Sequence, residues 1–283
     1  MINSEKMKQI RSIVIFCILV TVPAFLGPLL GGSPSKPGAG FVIWGMAPLL
    51  AAVIMRIATR SWFDAGFKLA IKRNAVWYII SIFIFPVMTV LTFLLGEILS
   101  VSSFTNFSPG PYLKTFLTAI PVFFVFSILE EFGWRGYLVP KLFSSGINSY
   151  LSTAIISVVW ATWHIPYIKE LAWVYSSENL VTFIPRFYLA MFAFAILYNE
   201  IRIITNSVWP AVIMHCIMNS FGHPLAADYI KVVPGYEYLV SSTGLFMILL
   251  IGLTGVILNR WRLRNKERQA HGPGAYEKQP SQA

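Results

Sequence analysis

What most constrains this chain is a succession of apolar stretches, at 10–30, 40–57, 75–99, 112–140, 152–168, 183–197, 206–221 and 239–258. A helix needs about 20 such residues to cross a ~30 Å hydrocarbon core, and inside lipid every backbone polar group must be satisfied internally. Long, continuous apolar segments answer that demand as helices, whereas barrel strands show ~10-residue alternation broken by turns. Composition agrees: 56% of the 283 residues are hydrophobic, only 12% are charged, and the mean hydropathy is +0.66. The sequence therefore predicts an all-α fold, a polytopic membrane helix bundle of about eight transmembrane helices. The first stretch follows Lys6, Lys8 and Arg11, and with no small-x-small cleavage pattern after it we read it as an uncleaved span.

The 22 Lys and Arg residues are distributed unevenly between alternate loops, 17 on the side of the N-terminus against 5 (Lys36, Lys114, Lys169, Arg186 and Lys231) on the other. The positive-inside rule then predicts a multi-pass integral protein, of the plasma membrane, with both termini cytoplasmic. The net charge of +10 reflects basic loops facing anionic lipid rather than nucleic acid. No linker or internal repeat divides the chain. Residues 1–259 are expected to form a single bundle with a core near 113–221. Residues 260–283 read as a basic juxtamembrane segment whose last dozen residues are disordered. Residues 31–40 and 100–112 are expected to be flexible outer loops, and the cation-rich stretch from Arg56 to Arg73 a short interfacial helix or gate on the inner leaflet. Cys17 and Cys216 lie in different spans, which argues against a stapling disulfide.

Ionisable groups inside a span cost at least about 2.5–3.5 kcal/mol each on insertion scales, so chains that keep them use them. The candidates are Glu130, Glu131 and Arg135 in span four, His164 in span five, and His215 with Asn219 in span seven. His215 and Asn219 stand one helical turn apart on one face, as do Trp160 and His164, and Glu131 and Arg135. Glu130 is turned by about 100° from Glu131, so Arg135 can neutralise one carboxylate while the other looks elsewhere. Measured from the inner helix ends, Glu130, His164 and His215 lie about 15, 18 and 14 Å deep at 1.5 Å per residue. One layer can hold all three, and His223, beyond it, reads as a loop residue.

A carboxylate in such a layer can take a proton from water and return it to a leaving group, while imidazole and amide groups can donate to a developing oxyanion. That set suits peptide hydrolysis. No GxSxG or HExxH occurs, and no cysteine lies one turn from a histidine. A zinc-dependent hydrolase using Glu130, His164 and His215 as ligands stands as an alternative, as does a non-catalytic membrane immunity or scaffold protein.

In order and separation, "EEFGWR", "WATWH" and "NSVWPAVIMHCIMN" resemble the EExxxR, aromatic-xxx-His and HxxxN motifs of the CAAX protease and bacteriocin-processing enzymes, glutamic intramembrane endopeptidases related to type II CAAX prenyl proteases. The resemblance covers about a third of the chain, residues 123–219. It implies an eight-helix bundle with a conical cavity open to the cytoplasm and a metal-independent endopeptidase without a cofactor. It further implies that Glu130 is the general base, Glu131 assists it or is held by Arg135, His164 orients the water, and His215 and Asn219 form the oxyanion hole. Trp160 stands where many members have phenylalanine. The implied partners are peptide or lipidated-protein substrates, prenylated or secreted, together with membrane lipids.

Overall fold

A computed structural model describes residues 4–33, 35–171 and 178–271. All eight apolar stretches are helical in it: α1 (Ser4–Leu26), α2 (Ala39–Thr59), α3 (Ile71–Ile98), α4 (Pro109–Gly133), α6 (Ser149–His164), α8 (Leu180–Thr205), α9 (Trp209–Tyr229) and α11 (Leu245–His271). Three short helices complete the set, α5 (Val139–Ser144), α7 (Ile168–Leu171) and α10 (Glu237–Val240). Seven segments among the described residues are long and apolar enough to span a bilayer, and the chain is an all-α, multi-pass integral membrane protein. α9 is the long helix outside that set, because it carries His215, Asn219, Ser220, His223 and Asp228 and packs between α3 and α4. Prolines inside α1, α2, α3, α4, α8 and α9 are tolerated because neighbouring helices re-satisfy freed backbone groups.

Helix ends follow local chemistry. The side chains of Asn148 and Asn179 accept from the second backbone N–H of α6 and α8, and Arg60 and Asn206 close α2 and α8 with left-handed backbones. Between α4 and α5 the rod does not break but widens into one π-helical turn, Trp134–Leu138. Here the Val139 N–H reaches back five residues to the Trp134 carbonyl, and Pro140 has no N–H to give. The Arg135 and Gly136 carbonyls are left without their helical donors, and they accept instead from Arg202 Nε (2.9 Å) and from Arg56. Such turns recur at functional sites, and this one follows directly on the two glutamates.

Contacts gather the basic groups at one end of the bundle. Gln9 of α1 donates to the Lys141 carbonyl, Arg73 and Asn74 of α3 donate to the Thr205 carbonyl, and Arg262 of α11 pairs with Glu200 of α8. The opposite end carries a two-stranded ribbon in which β1 (Ser102–Phe104) runs antiparallel to β2 (Ile230–Val232), Ser103 opposite Lys231. That ribbon corrects the expectation of a flexible loop at 100–112. The β-branched Val101, Ile230 and Val232 and the aromatic Phe104 give it a packed face against Phe93, Tyr112, Leu225 and Val240.

A second correction concerns Arg56–Arg73, which forms no interfacial helix. Arg56 is the buried last turn of α2, and residues 60–70 are a turning, non-helical strap with left-handed backbones at Arg60, Gly66 and Ala70. Asp64 bridges Arg56 (2.8 Å) and Lys141 (2.9 Å). Burial opposes its ionisation, but the hydrogen bonds and charges of those two cations outweigh that and hold its carboxyl below the ordinary range. Gly66, at φ +75°, lies so close to the Arg202 guanidinium that a Cβ would sit 2.7 Å from Nη2. The strap's carbonyls take hydrogen bonds from Arg202, Val208, Trp209 and Ser207, tying it under α8 and α9. Cys17 and Cys216 are both free. The terminal residues expected to be disordered, 272–283, lie outside the described part.

Candidate active site

Glu130 and Glu131 close α4 immediately before the π turn. Gly133, one turn on, crosses α2 so closely that a Cβ would meet Pro48 at 2.5 Å. That crossing and the fully buried Trp134, Tyr137 and Leu138 behind it fix the rotation of the rod. The predicted residues then fall into one connected cluster. Glu130 Oε2 accepts from the Trp160 indole Nε1–H at 2.9 Å, and its Oε1 faces His215 Nε2 at 3.8 Å. Glu131 Oε1 accepts from His215 Nδ1 at 2.9 Å and from Arg135 Nη1 at 3.2 Å.

The two neighbours thus divide their work. Glu131 and Arg135 are completely buried and paired, whereas Glu130 retains 7% exposure and His215 4%. Because a carboxylate only accepts, His215 donates through Nδ1 to Glu131 and turns Nε2 toward Glu130. A histidine whose second nitrogen is fixed in this way has its ring orientation and tautomer set by that partner. The separation of 3.8 Å is too long for a direct hydrogen bond and leaves one water within reach of both groups.

His164 is the last residue of α6, where its Nδ1 donates to the Trp160 carbonyl at 2.8 Å. Its Nε2 is then the free acceptor, within electrostatic reach of Glu130 and His215. Behind it Trp44 and Trp163 stack at 4.1 Å and exchange indole-to-carbonyl bonds of 2.8 and 3.0 Å, a rigid wall against which the imidazole packs edge-on at 4.6 Å. Asn219 is half-buried one turn beyond His215 and makes no side-chain hydrogen bond among the described residues. All seven predicted residues therefore lie in or beside this cluster.

Sequence reasoning missed several supporting groups. Tyr198 is fully buried in α8, its ring 4.6 Å from the Arg135 guanidinium carbon, while Trp160 covers the same cation at 4.1 Å. These two faces stabilise a charge that only one carboxylate touches directly. The signal is present in "LYNEIR", residues 197–202, where Asn199, Glu200 and Arg202 follow Tyr198, just past the apolar stretch 183–197. His223 is not a loop residue. It lies in α9 and stacks on Phe123 of α4 at 5.5 Å. No group of three or more His, Cys, Asp or Glu side chains placed to hold a metal ion occurs among the described residues, so the zinc reading gains no geometric support.

Residues 112–221 match the family model described as type II CAAX prenyl endopeptidase Rce1-like. The matched segment opens near the start of α4, contains α6 and α8, and ends in α9, so it contains every residue of the cluster. No curated protein matches the chain. Together with the membrane-spanning helices, the match supports an intramembrane protease of the CAAX type.

Proposed function

We propose, since residues 112–221 match the Rce1-like family model, that the chain is a glutamic intramembrane endopeptidase that hydrolyses a peptide bond in a membrane-associated, prenylated or secreted peptide. The observation that carries this reading is the placement of Glu130. One of its oxygens is pinned by Trp160, and the other faces, at 3.8 Å, an imidazole whose far side is locked by Glu131.

In this mechanism Glu130 takes a proton from a water lying between it, His164 and His215, and the water oxygen attacks the scissile carbonyl carbon. The carbonyl π-electron pair moves onto oxygen, where Asn219 Nδ2 and His215 Nε2 donate. His215 already donates through Nδ1, so its Nε2 donates only in the imidazolium form, whose charge is balanced by Glu131 and by the developing oxyanion. Glu130 then passes the proton to the departing amine as the carbonyl re-forms. Arg135 holds Glu131 in place through the 3.2 Å pair. Membrane and secreted peptides compared by mass spectrometry between cells carrying the wild type and Glu130→Gln test the proposal. A peptide shortened only with the wild type is the expected result, and identical peptide sets would overturn it.

A further inference from the structure

Away from the catalytic cluster, α1 leaves a groove of about 490 Å³ against α5, the turn after it and α6, and none of the residues assigned to catalysis lines it. The groove is apolar apart from Cys17 and Thr21, with Leu142, Ile147 and Ile155 as its facing wall. Along α1 it runs from Ile10 to Val22, about 18 Å at 1.5 Å per residue. One leaflet of a ~30 Å hydrocarbon core is about 15 Å deep, so the groove has the length of a lipid tail.

Charge stands at one end of it. Ile10, Ile13 and Cys17 follow Lys6 at i+4, i+7 and i+11, and Val14, Ile18 and Val22 follow Arg11 at i+3, i+7 and i+11, so a cation heads each row of groove residues at the basic end. Both cations are exposed and neither makes an ion pair among the described residues, whereas Lys8 between them pairs with Glu5 at 2.8 Å. The facing wall offers no carboxylate, since 142–164 contains neither Asp nor Glu. Lys6 Nζ reaches the turn that opens this wall, 3.9 Å from where a Cβ on Gly146 would stand. α6 starts three residues later, at Ser149, which brings the positive end of its dipole beside the same mouth. Gln9 fixes that mouth by donating at 2.7 Å to both the Lys141 carbonyl and Ser144 Oγ.

We propose that the groove binds one anionic glycerophospholipid from the leaflet on the basic side, its tail along α1 and its phosphate among Lys6, Arg11 and the turn at Gly146. A zwitterionic lipid brings the same tail, but its own cation competes for the phosphate and leaves Lys6 and Arg11 uncompensated. Occupancy bears on the catalytic scaffold through α1. Phe16, turned about 100° from Cys17, stacks on Tyr137 at 4.8 Å and meets Trp134 edge-on at 6.2 Å. A filled groove thus braces α1 against the π turn that carries Arg135.

Native mass spectrometry and melting curves of the detergent-exchanged full chain test the site. Phosphatidylglycerol is expected to be retained as one molecule per chain and to raise the thermal midpoint by several degrees, whereas phosphatidylcholine with the same tails, and inorganic phosphate, do neither. Lys6→Gln combined with Arg11→Gln should weaken retention by roughly 25-fold, about fivefold for each cation near a membrane surface. Lys72→Gln, an exposed cation on α3, should leave it unchanged. Val14→Trp, at a half-exposed groove position, should block the tail with both cations intact. Equal retention of the two phospholipids overturns the proposal, as does undiminished retention of phosphatidylglycerol in the double variant or in Val14→Trp. A chain that retains no lipid overturns it too, and recovery of that chain as a dimer would identify a second copy as the groove's cover. Neither readout requires proteolysis, so the outcome is independent of the peptidase reading.

Discussion

The rod formed by α4, its π turn and α5 obeys opposite burial rules in its two halves. The outer half, 113–126, is mostly Leu, Phe, Val and Ile with a single charge, Lys114, and none of it is buried. The inner half, 130–142, carries two carboxylates and two cations, and most of it is sealed. In water this would be an inverted protein. In a bilayer apolar side chains lose nothing by facing lipid tails, whereas charges must find one another inside the bundle. The outer half thus faces lipid, and the inner half is a scaffold that holds Glu130 at its edge.

Three substitutions in and around the inner half separate chemistry from scaffold, taken from the largest effect down. Glu130→Gln keeps the shape and still accepts from Trp160, but removes the base. Cleavage by the purified enzyme is expected to fall by about 10²–10⁴-fold, the usual contribution of general acid–base catalysis, with the thermal midpoint in detergent unchanged. A comparable fall in thermal midpoint would make Glu130 part of the scaffold. Arg135→Ala should do the reverse. It leaves the Glu131 carboxyl with one partner fewer at zero exposure, a loss of about 3–5 kcal/mol for a broken buried pair. The checks are the thermal midpoint and the yield of folded protein, and near wild-type values for both would show that Tyr198 and Trp160 merely pack there.

Trp160→Phe is a finer cut, because phenylalanine is what many members of the resembled family carry. It retains a ring over Arg135 and removes only the indole N–H that holds Glu130 Oε2. A hydrogen bond to a charged group is worth about 1.5–3 kcal/mol, so kcat should drop by roughly ten- to a hundredfold with KM unchanged. A rise in KM with kcat intact would make Trp160 a substrate contact instead of a positioning residue.

The fold was legible from hydropathy because a spanning helix announces itself by length, and all eight stretches are helices. The site was legible from the cost of charge in lipid: Glu130, His164 and His215 stood out individually, and helical rise alone put them in one layer. What stayed hidden depended on partners distant in sequence. Nothing local shows that Glu131 serves His215 as well as Arg135, since His215 arrives 84 residues later. The π turn was unreadable because an extra residue per turn becomes favourable only once Arg56 and Arg202 supply donors for the carbonyls it frees. The strap was misread because an alternation of cations and aromatics looks interfacial until Asp64 is seen bridging Arg56 and Lys141.

The smallest expected effect tests the comparison itself. Leu142 and Leu117 sit on the same rod, the first fully buried and the second 53% exposed. Leu142→Ala opens a cavity among packed side chains and should cost about 2–5 kcal/mol. Leu117→Ala exchanges contacts with lipid or solvent and should stay within about 0.5 kcal/mol of the wild type. Both are read as detergent melting curves. Equal losses would mean that residues 113–126 are covered by a partner or a second copy. A near-zero loss at Leu117 is what a side chain facing lipid should give, because lipid tails replace its contacts at little cost to the bundle.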